Sequence, residues 1–238
     1  MKSSKEEIEK LAENFENKEP QEILKWASDT FHPKIALSSS FSTEDVTLID
    51  MLWKINPKFR VFTLDTGRLN QETYSLIDRI RTRYDAQVEV YYPKTAAVEK
   101  MVREHGMNLF YESVTYRRLC CNVRKVEPLM RALRGLDAWI TGLRRGQGVT
   151  RTEVKKVEID EAHGNIVKVN PLAGWSNEQV WDYVKKNNVP YNSLYDKDYT
   201  SIGCEPCTRP IKPEEDIRAG RWWWESPDEK ECGLHVHK

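Results

Sequence analysis

Four cysteines in two tight pairs, Cys120-Cys121 and Cys204-Glu205-Pro206-Cys207, stand roughly eighty residues apart in the chain. A fold that uses them together must bring two distant segments to one place. Structural zinc takes both pairs spaced by two to four residues. Adjacent side chains on a helix diverge by about 100°, so Cys120 and Cys121 would reach one tetrahedral ion poorly. A four-iron cluster offers each thiolate its own iron corner and is the preferred reading. Zinc and a redox-active or structural disulfide set are the alternatives.

The fifth thiol, Cys232, lies near the chain end behind Trp222-Trp223-Trp224. If the other four are ligands, it is left to react. Lys230 and His235 are close in sequence, and nearby cations favour the nucleophilic thiolate. The competing reading is an ordinary thiol on a frayed terminus.

At 238 residues the chain can bury a substantial core. Its 37 basic residues balance 37 acidic ones, so no global field argues for nucleic acid or a membrane, and an anion site must be local. No run of about 18 apolar residues occurs, and the start, Met1-Lys2-Ser3-Ser4-Lys5-Glu6, is too polar for a secretory signal. The expected location is the cytoplasm, where paired cysteines are more often ligands or redox centres than structural disulfides.

Hydrophobic periodicity predicts helices over 4–17, from Pro20 to Phe31, after Thr43, over 71–84 and after Ser176, the last with a Ser-x-Glu start. Short strands are expected at 34–37, 60–64, 88–92, 138–142 and 166–169. Alternation of this kind implies an α/β fold with a mainly parallel sheet flanked by helices. Ligands of such sheets bind beyond the carboxyl ends of the strands. Three loops occupy those positions: Ser38 to Asp45, Asp65-Thr66-Gly67, and Gly142 to Arg145. Backbone amides at the start of the helix after Ser42 can hold a phosphate or sulfate. Ser42 and Thr43 are equally ordinary helix caps. Trp139, Trp175 and Trp181 read as packing, and His105 and His163 as surface residues. Residues 1–208 are expected to form the α/β domain with an N-terminal helical extension and the cysteine site, and 209–238 a flexible tail carrying Cys232.

Six segments in order, Ser40-Phe41-Ser42-Thr43-Glu44-Asp45, Leu64-Asp65-Thr66-Gly67-Arg68-Leu69, Cys120 to Leu129, Gly203 to Pro210, Gly220 to Glu225 and Glu231 to His235, resemble the assimilatory sulfonucleotide reductases. More narrowly, they resemble the cluster-containing adenylyl-sulfate (APS) reductases. The resemblance implies an adenine-nucleotide α-hydrolase-like fold of the PP-loop type. It implies reduction of adenosine 5′-phosphosulfate to sulfite and AMP, at the expense of thioredoxin or a glutaredoxin-like dithiol, in sulfate assimilation toward cysteine biosynthesis. By similarity Cys232 is the nucleophile, and Cys120, Cys121, Cys204 and Cys207 bind one [4Fe-4S] cluster. Lys125, Arg218, Arg221 and His235 surround the phosphosulfate. Ser40, Phe41, Ser42, Leu64, Asp65, Thr66, Gly67, Gly142 and Arg144 hold the nucleotide. A homo-oligomer is compatible with the sequence.

Two departures bear on these expectations. PP-loop pyrophosphatases carry a Ser-Gly-Gly-x-Asp-type loop, whereas the side chains of Ser40-Phe41-Ser42 would crowd an ATP pyrophosphate. After Gln147 the family commonly has Ser-Pro, and this chain has Gly148-Val149. Arg144, Arg145 and Arg151 near that loop are candidate cations for a 3′-phosphate, so a PAPS reductase or dual APS/PAPS activity is the alternative. A PP-loop nucleotide-activating enzyme and a non-catalytic iron–sulfur sensor are alternatives of other classes. On a continuous α-helix Lys125 would share a face with Cys121, one turn before it.

Overall fold

The computed structural model describes residues 5–148, 151–226, 230 and 233–234. Two amphipathic helices open it, α1 (Lys5–Phe15) and α2 (Pro20–Phe31), the second started by a Glu19/Glu22 capping box with Pro20 at its first turn. Then follow β1 (Ile35–Ser38), α3 (Thr43–Ile55), β2 (Val61–Leu64), α4 (Gln71–Tyr84), β3 (Val88–Tyr91) and α5 (Thr95–His105). The remainder comprises α6 (Val114–Cys121), α7 (Glu127–Ala132), β4 (Ala138–Ile140), β5 (Val157–Asp160), β6 (Ile166–Val169) and α8 (Asn177–Lys186).

The strands form one sheet in the order β3-β2-β1-β4-β6-β5. β1 pairs in parallel with β2 (Leu37 with Val61) and with β4 (Ile35 with Ala138), and β4 pairs in parallel with β6 (Ala138 with Val167). The expected parallel sheet is therefore present. Edge strand β5, which periodicity did not reveal, runs antiparallel to β6. Its residues Val157-Glu158-Ile159-Asp160 are too few and too mixed to signal a strand alone.

The chain divides into two compact units: residues 1–62, 72–89 and 135–193, and residues 63–71, 90–134 and 194–238. The boundary falls inside β2 and β3, and the segment 209–238 groups with the residues that carry the cysteines. In the first unit, Ile35, Leu37, Val61, Ala138, Ile140, Val167 and Val169 of the sheet pack with Ile23, Leu24, Val46, Ile49 and Leu52 of the helices. Buried residues of α3 run without a break from Thr43 to Leu52. α8 is capped by Ser176, whose hydroxyl accepts from Gln179 N–H while Gln179 returns to Ser176 N–H; the box partner is Gln179, not Glu178. His163 is buried rather than at the surface, its Nδ1 2.8 Å from Asp160.

In the second unit the α6 helix does not continue as an α-helix. Residues Asn122–Val126 form a π turn, and Glu127 N–H reaches back to Asn122 O. Pro128 gives a cause: it has no N–H for the Arg124 carbonyl, and its ring crowds that turn, so the chain widens before it. No helix of the described residues is long and apolar enough to cross a membrane.

Candidate functional site

The second unit brings the two cysteine pairs to one cavity. Cys120 and Cys121 end α6, while Cys204 precedes and Cys207 ends a 3-10 turn, Glu205–Cys207, with Pro206 in its first positions. A one-residue bridge pairs Leu69 with Cys204, and Glu205 N–H donates to Arg68 O at 2.8 Å. All four thiols are buried at 7–8% exposure, and none is joined in a disulfide. They line one pocket, partly open to solvent, with Arg68, Arg117, Arg124, Lys125 and Trp222 among its walls. Among the described residues no three or more His, Cys, Asp or Glu side chains are placed to hold a single metal ion. The widened turn after Cys121 puts both Arg124 and Lys125 on this wall.

Close backbone approach fixes the cations. A Cβ on Gly203 would stand 2.5 Å from the Arg221 guanidinium carbon, so only glycine lets Arg221 lie across that backbone. Arg221 Nη1 donates to Ile202 O at 3.2 Å. Gly67, at φ +70°, turns the chain under Arg124, whose Nη1 donates to Thr66 O at 2.6 Å. Burial raises the Cys204 thiol, but Lys125, the Thr66 hydroxyl at 3.2 Å, Arg221 and Arg124 together hold it below the ordinary thiol range. Cys207 is pushed up to about 12 by burial and by Cys204. Burial likewise raises Cys120. Arg124 Nε and Trp222 Nε1, both on residues of the cavity wall, are buried donors without a partner. Such donors suit the sulfur atoms of a cluster, which accept hydrogen bonds.

Comparison with known proteins bears directly on this arrangement. The family model described as the phosphoadenosine phosphosulfate reductase domain matches residues 34–210. The chain belongs to that family. It is 53% identical over 205 residues to the adenosine 5′-phosphosulfate reductase of Burkholderia cepacia, covering 86% of this chain and 82% of that one. Among solved structures, phosphoadenylyl-sulfate (PAPS) reductase from Candida auris, a phosphate complex, superposes with a TM-score of 0.76 at 32% identity, covering 88% of this chain and 99% of that one. FMN adenylyltransferase from Candida glabrata has a TM-score of 0.58 at 14% identity over 96% and 77% of the chains. That likeness concerns the fold alone: a mainly parallel, PP-loop type sheet flanked by helices.

In this reductase domain the loop after β1 is organised by Asp45. Its Oδ2 accepts from Ser40 N–H at 2.7 Å, Ser40 Oγ at 2.8 Å and Ser42 N–H at 3.4 Å, while Ser42 Oγ caps α3 through Asp45 N–H. Capping therefore describes this helix start, and the Ser40, Ser42 and Asp45 amides are engaged within the loop itself. Burial, the largest influence, raises Asp45 to about 6 against the lowering hydrogen bonds from Ser40. Phe41 has the left-handed φ of 60° and is 1% exposed, its ring packed in the core. Its ring therefore points into the core; an aromatic residue at such a φ is held there only by its surroundings.

Arg144 is 2% exposed and donates to Glu44 at 2.8 Å, Trp175 O at 3.2 Å and Asn177 at 3.4 Å. Gly142 makes room for the same network, since a Cβ there would meet Asp45 Oδ1 at 2.5 Å. Arg145 pairs with Glu16 at 2.5 Å and donates to Val154 O. In the second unit Asp65 accepts from Gly67 N–H at 2.7 Å, Thr66 faces Cys204, Leu64 is half-buried, and Arg218 donates to Lys230 O at 2.8 Å. Cys232 and His235 lie outside the described residues. Sequence reading missed Arg68, Arg117 and Arg124 as cavity residues. Arg117 had a signal, one helical turn before Cys121.

Proposed function

We propose that this chain is a thioredoxin-dependent adenylyl-sulfate reductase, converting adenosine 5′-phosphosulfate to sulfite and AMP. The observation that carries the reading is the cavity of four buried cysteines walled by Arg68, Arg117, Arg124 and Lys125, in a chain 53% identical to a protein named for this reaction. The residues suit a [4Fe-4S] cluster held by Cys120, Cys121, Cys204 and Cys207: the thiols surround a hollow, cations offset thiolate charge, and buried N–H donors await acceptors. Bound there, the cluster supplies fixed charge and rigidity to the turn bearing Lys125.

The Cys232 thiolate attacks the sulfuryl sulfur. A new S–S bond forms, the bond from sulfur to the bridging phosphate oxygen breaks, and AMP leaves with the electron pair. Negative charge grows on the departing phosphate, so cations fixed beforehand lower the barrier. Lys125, Arg218 and Arg221 of the second unit are assigned that task, with His235. Leu64 to Gly67 of that unit, and Ser40, Phe41, Ser42 and Gly142 of the first, are assigned to the nucleotide. Arg144, engaged by Glu44, acts by holding its loop. A dithiol then attacks Cys232 Sγ and expels sulfite, and its second thiol resolves the mixed disulfide. An unperturbed thiol, with pKa near about 8.5, is only a few per cent ionised at pH 7, so nearby cations raise the reactive fraction.

The 3′-phosphorylated substrate, PAPS, is the second reading, suggested by the family's description and the Candida auris likeness. Arg144 and Arg145 are committed to Glu44 and Glu16, which favours APS. A kcat/KM higher for PAPS than for APS would reverse that preference.

One experiment tests the mechanism. Protein mixed anaerobically with APS and no reductant is expected to gain a single sulfo group on the Cys232 peptide, which thioredoxin removes as sulfite. Cys232→Ser should keep the brown chromophore and form none, because a serine hydroxyl at neutral pH is a far poorer nucleophile. A label on another cysteine, or sulfite release by the serine variant, would end the reading.

A further inference from the structure

Arg117 lies on α6 one turn before Cys121 and is 0% exposed. Its Nε donates to Glu225 Oε1 at 3.0 Å and Oε2 at 3.2 Å, and Nη2 donates to Oε2 at 2.7 Å. The Glu225 side chain is itself only 2% exposed. The same guanidinium lies 4.8 Å from the Trp222 ring centroid, with Arg221 also over that ring at 4.6 Å.

Trp222 starts a tight turn. It is 1% exposed and has φ 41°, a strained region for a bulky residue. Its N–H donates to Cys207 O at 3.1 Å, and Glu225 N–H closes the turn on Trp222 O at 2.9 Å. The turn is thus fastened to Cys207 through the backbone and, through the Arg117–Glu225 pair, to the helix that ends in Cys120 and Cys121. A carboxylate this buried is retained only when paired. Beyond Glu225 the chain runs on to Cys232.

We propose that the Arg117–Glu225 pair is a positioning device for sulfo transfer: it ties the turn from which the Cys232 segment departs to the cysteine shell, so that the nucleophile's approach depends on that shell. The inference rests on the role given to Cys232 above. Arg117 joins Glu225 to the helix that carries Cys120 and Cys121, so displacement of either side of the pair shifts the other. Neither residue touches the reacting atoms in this scheme. Their effect is geometric.

The test uses full-length, anaerobically prepared protein with Glu225→Ala and the milder Glu225→Gln. Three quantities are compared with wild type: tryptic cleavage between Arg221 and Trp222, affinity for AMP, and the single-turnover rate of sulfo transfer to Cys232. Glu225→Ala should be cut at least about tenfold faster and transfer the sulfo group at least about tenfold slower, because small displacements of a reacting group carry large rate penalties. Its AMP affinity should stay within about threefold and its visible absorption should persist, since neither the cysteines nor the nucleotide residues are altered. Glu225→Gln, which keeps the shape and an acceptor oxygen, should recover most of the transfer rate. It also serves if the alanine variant does not fold.

Wild-type rates of cleavage and transfer in Glu225→Ala would overturn the proposal. So would loss of absorption in both variants, because the pair would then hold the cysteine shell itself. If wild-type protein takes no sulfo group on Cys232, the functional reading fails first, and the positioning role with it.

Discussion

In the first unit Arg144 meets Glu44, Arg145 meets Glu16 and Lys168 meets Glu158; in the second, Arg124 and Arg221 keep buried Nε–H groups without an acceptor. The indoles of Trp222 and Trp224 do the same. Of the five buried side-chain nitrogen or oxygen atoms without a partner among the described residues, these four N–H donors belong to the second unit, and only Thr47 Oγ1 belongs to the first. Each such donor costs about 1–3 kcal/mol if nothing accepts from it. Among the described residues the first unit leaves only Thr47 Oγ1 in this state. In the second, two of these donors, on Arg124 and Trp222, belong to the wall of the cysteine cavity, where the proposed cluster would supply acceptors.

The contrast breaks most visibly at a cysteine. Cys204→Ser should abolish the brown chromophore and all sulfite formation, since a serine is a poor ligand for a cluster iron and the remaining donors then surround an empty hollow. Colourless wild-type protein carrying one zinc per chain after anaerobic preparation would overturn the cluster assignment.

Next in size are the cations of the second unit. Lys125→Ala and Arg221→Ala each remove a fixed positive charge beside the proposed phosphosulfate, at an expected cost of about 2–4 kcal/mol, or roughly 30- to 1000-fold in kcat/KM for APS. Far-UV circular dichroism should be unchanged. Wild-type turnover by both variants would require the anion to bind elsewhere.

These two expectations draw on residues that the sequence already singled out, whereas other features became visible only in three dimensions. The four cysteines carry chemistry in their identity, and their gathering was legible from the two tight pairs, whereas Lys125 reaches the same cavity through a π turn rather than the continuous α-helix its spacing implied. The parallel sheet was legible because buried strands such as Ile35–Ser38 and Val61–Leu64 are apolar runs bounded by turns. The π turn was not, since it arises from Pro128 acting on the preceding helical turn while the local residues still read as helix. The conformation of Phe41 was not legible either, because periodicity does not report a left-handed φ, which sends its ring inward. The neutralisation of Arg144 and Arg145 depends on Glu44 and Glu16, about 100 and 129 residues away in sequence, beyond the reach of local pattern.

Asp45 offers a smaller test inside the first unit. Burial raises its carboxyl from 3.8 to about 6. An acid whose folded pKa exceeds its unfolded value binds more protons when folded, so its contribution to stability falls as pH rises from about 4 through 6 and is level above. The span corresponds to roughly 2–3 kcal/mol. Asp45→Asn removes this titration. Measured by denaturant unfolding, wild-type stability relative to the variant should therefore decline by that order between pH 4 and 7. A flat or rising difference would show that the hydrogen bonds from Ser40 and Ser42 outweigh burial.

Arg145 provides the smallest effect and the sharpest contrast with Arg221. Its guanidinium is already paired with Glu16, at 2.5 and 2.8 Å, and the two side chains are 32% and 45% exposed. Solvent screens a pair of this kind, so its coupling energy in a double-mutant cycle with Glu16→Ala should be only about 0.2–1 kcal/mol. Arg145→Ala also gives up the bond to Val154 O, so the single variant should lose somewhat more stability than the coupling alone. Its kcat/KM for APS should remain within about twofold of wild type, because an arginine neutralised by a carboxylate has little field left for a substrate anion. A loss of tenfold or more would mean that Glu16 releases Arg145 when the nucleotide binds. The same measurement with PAPS extends the comparison: if Arg145 recognises a 3′-phosphate, Arg145→Ala should depress PAPS turnover and leave APS turnover unchanged.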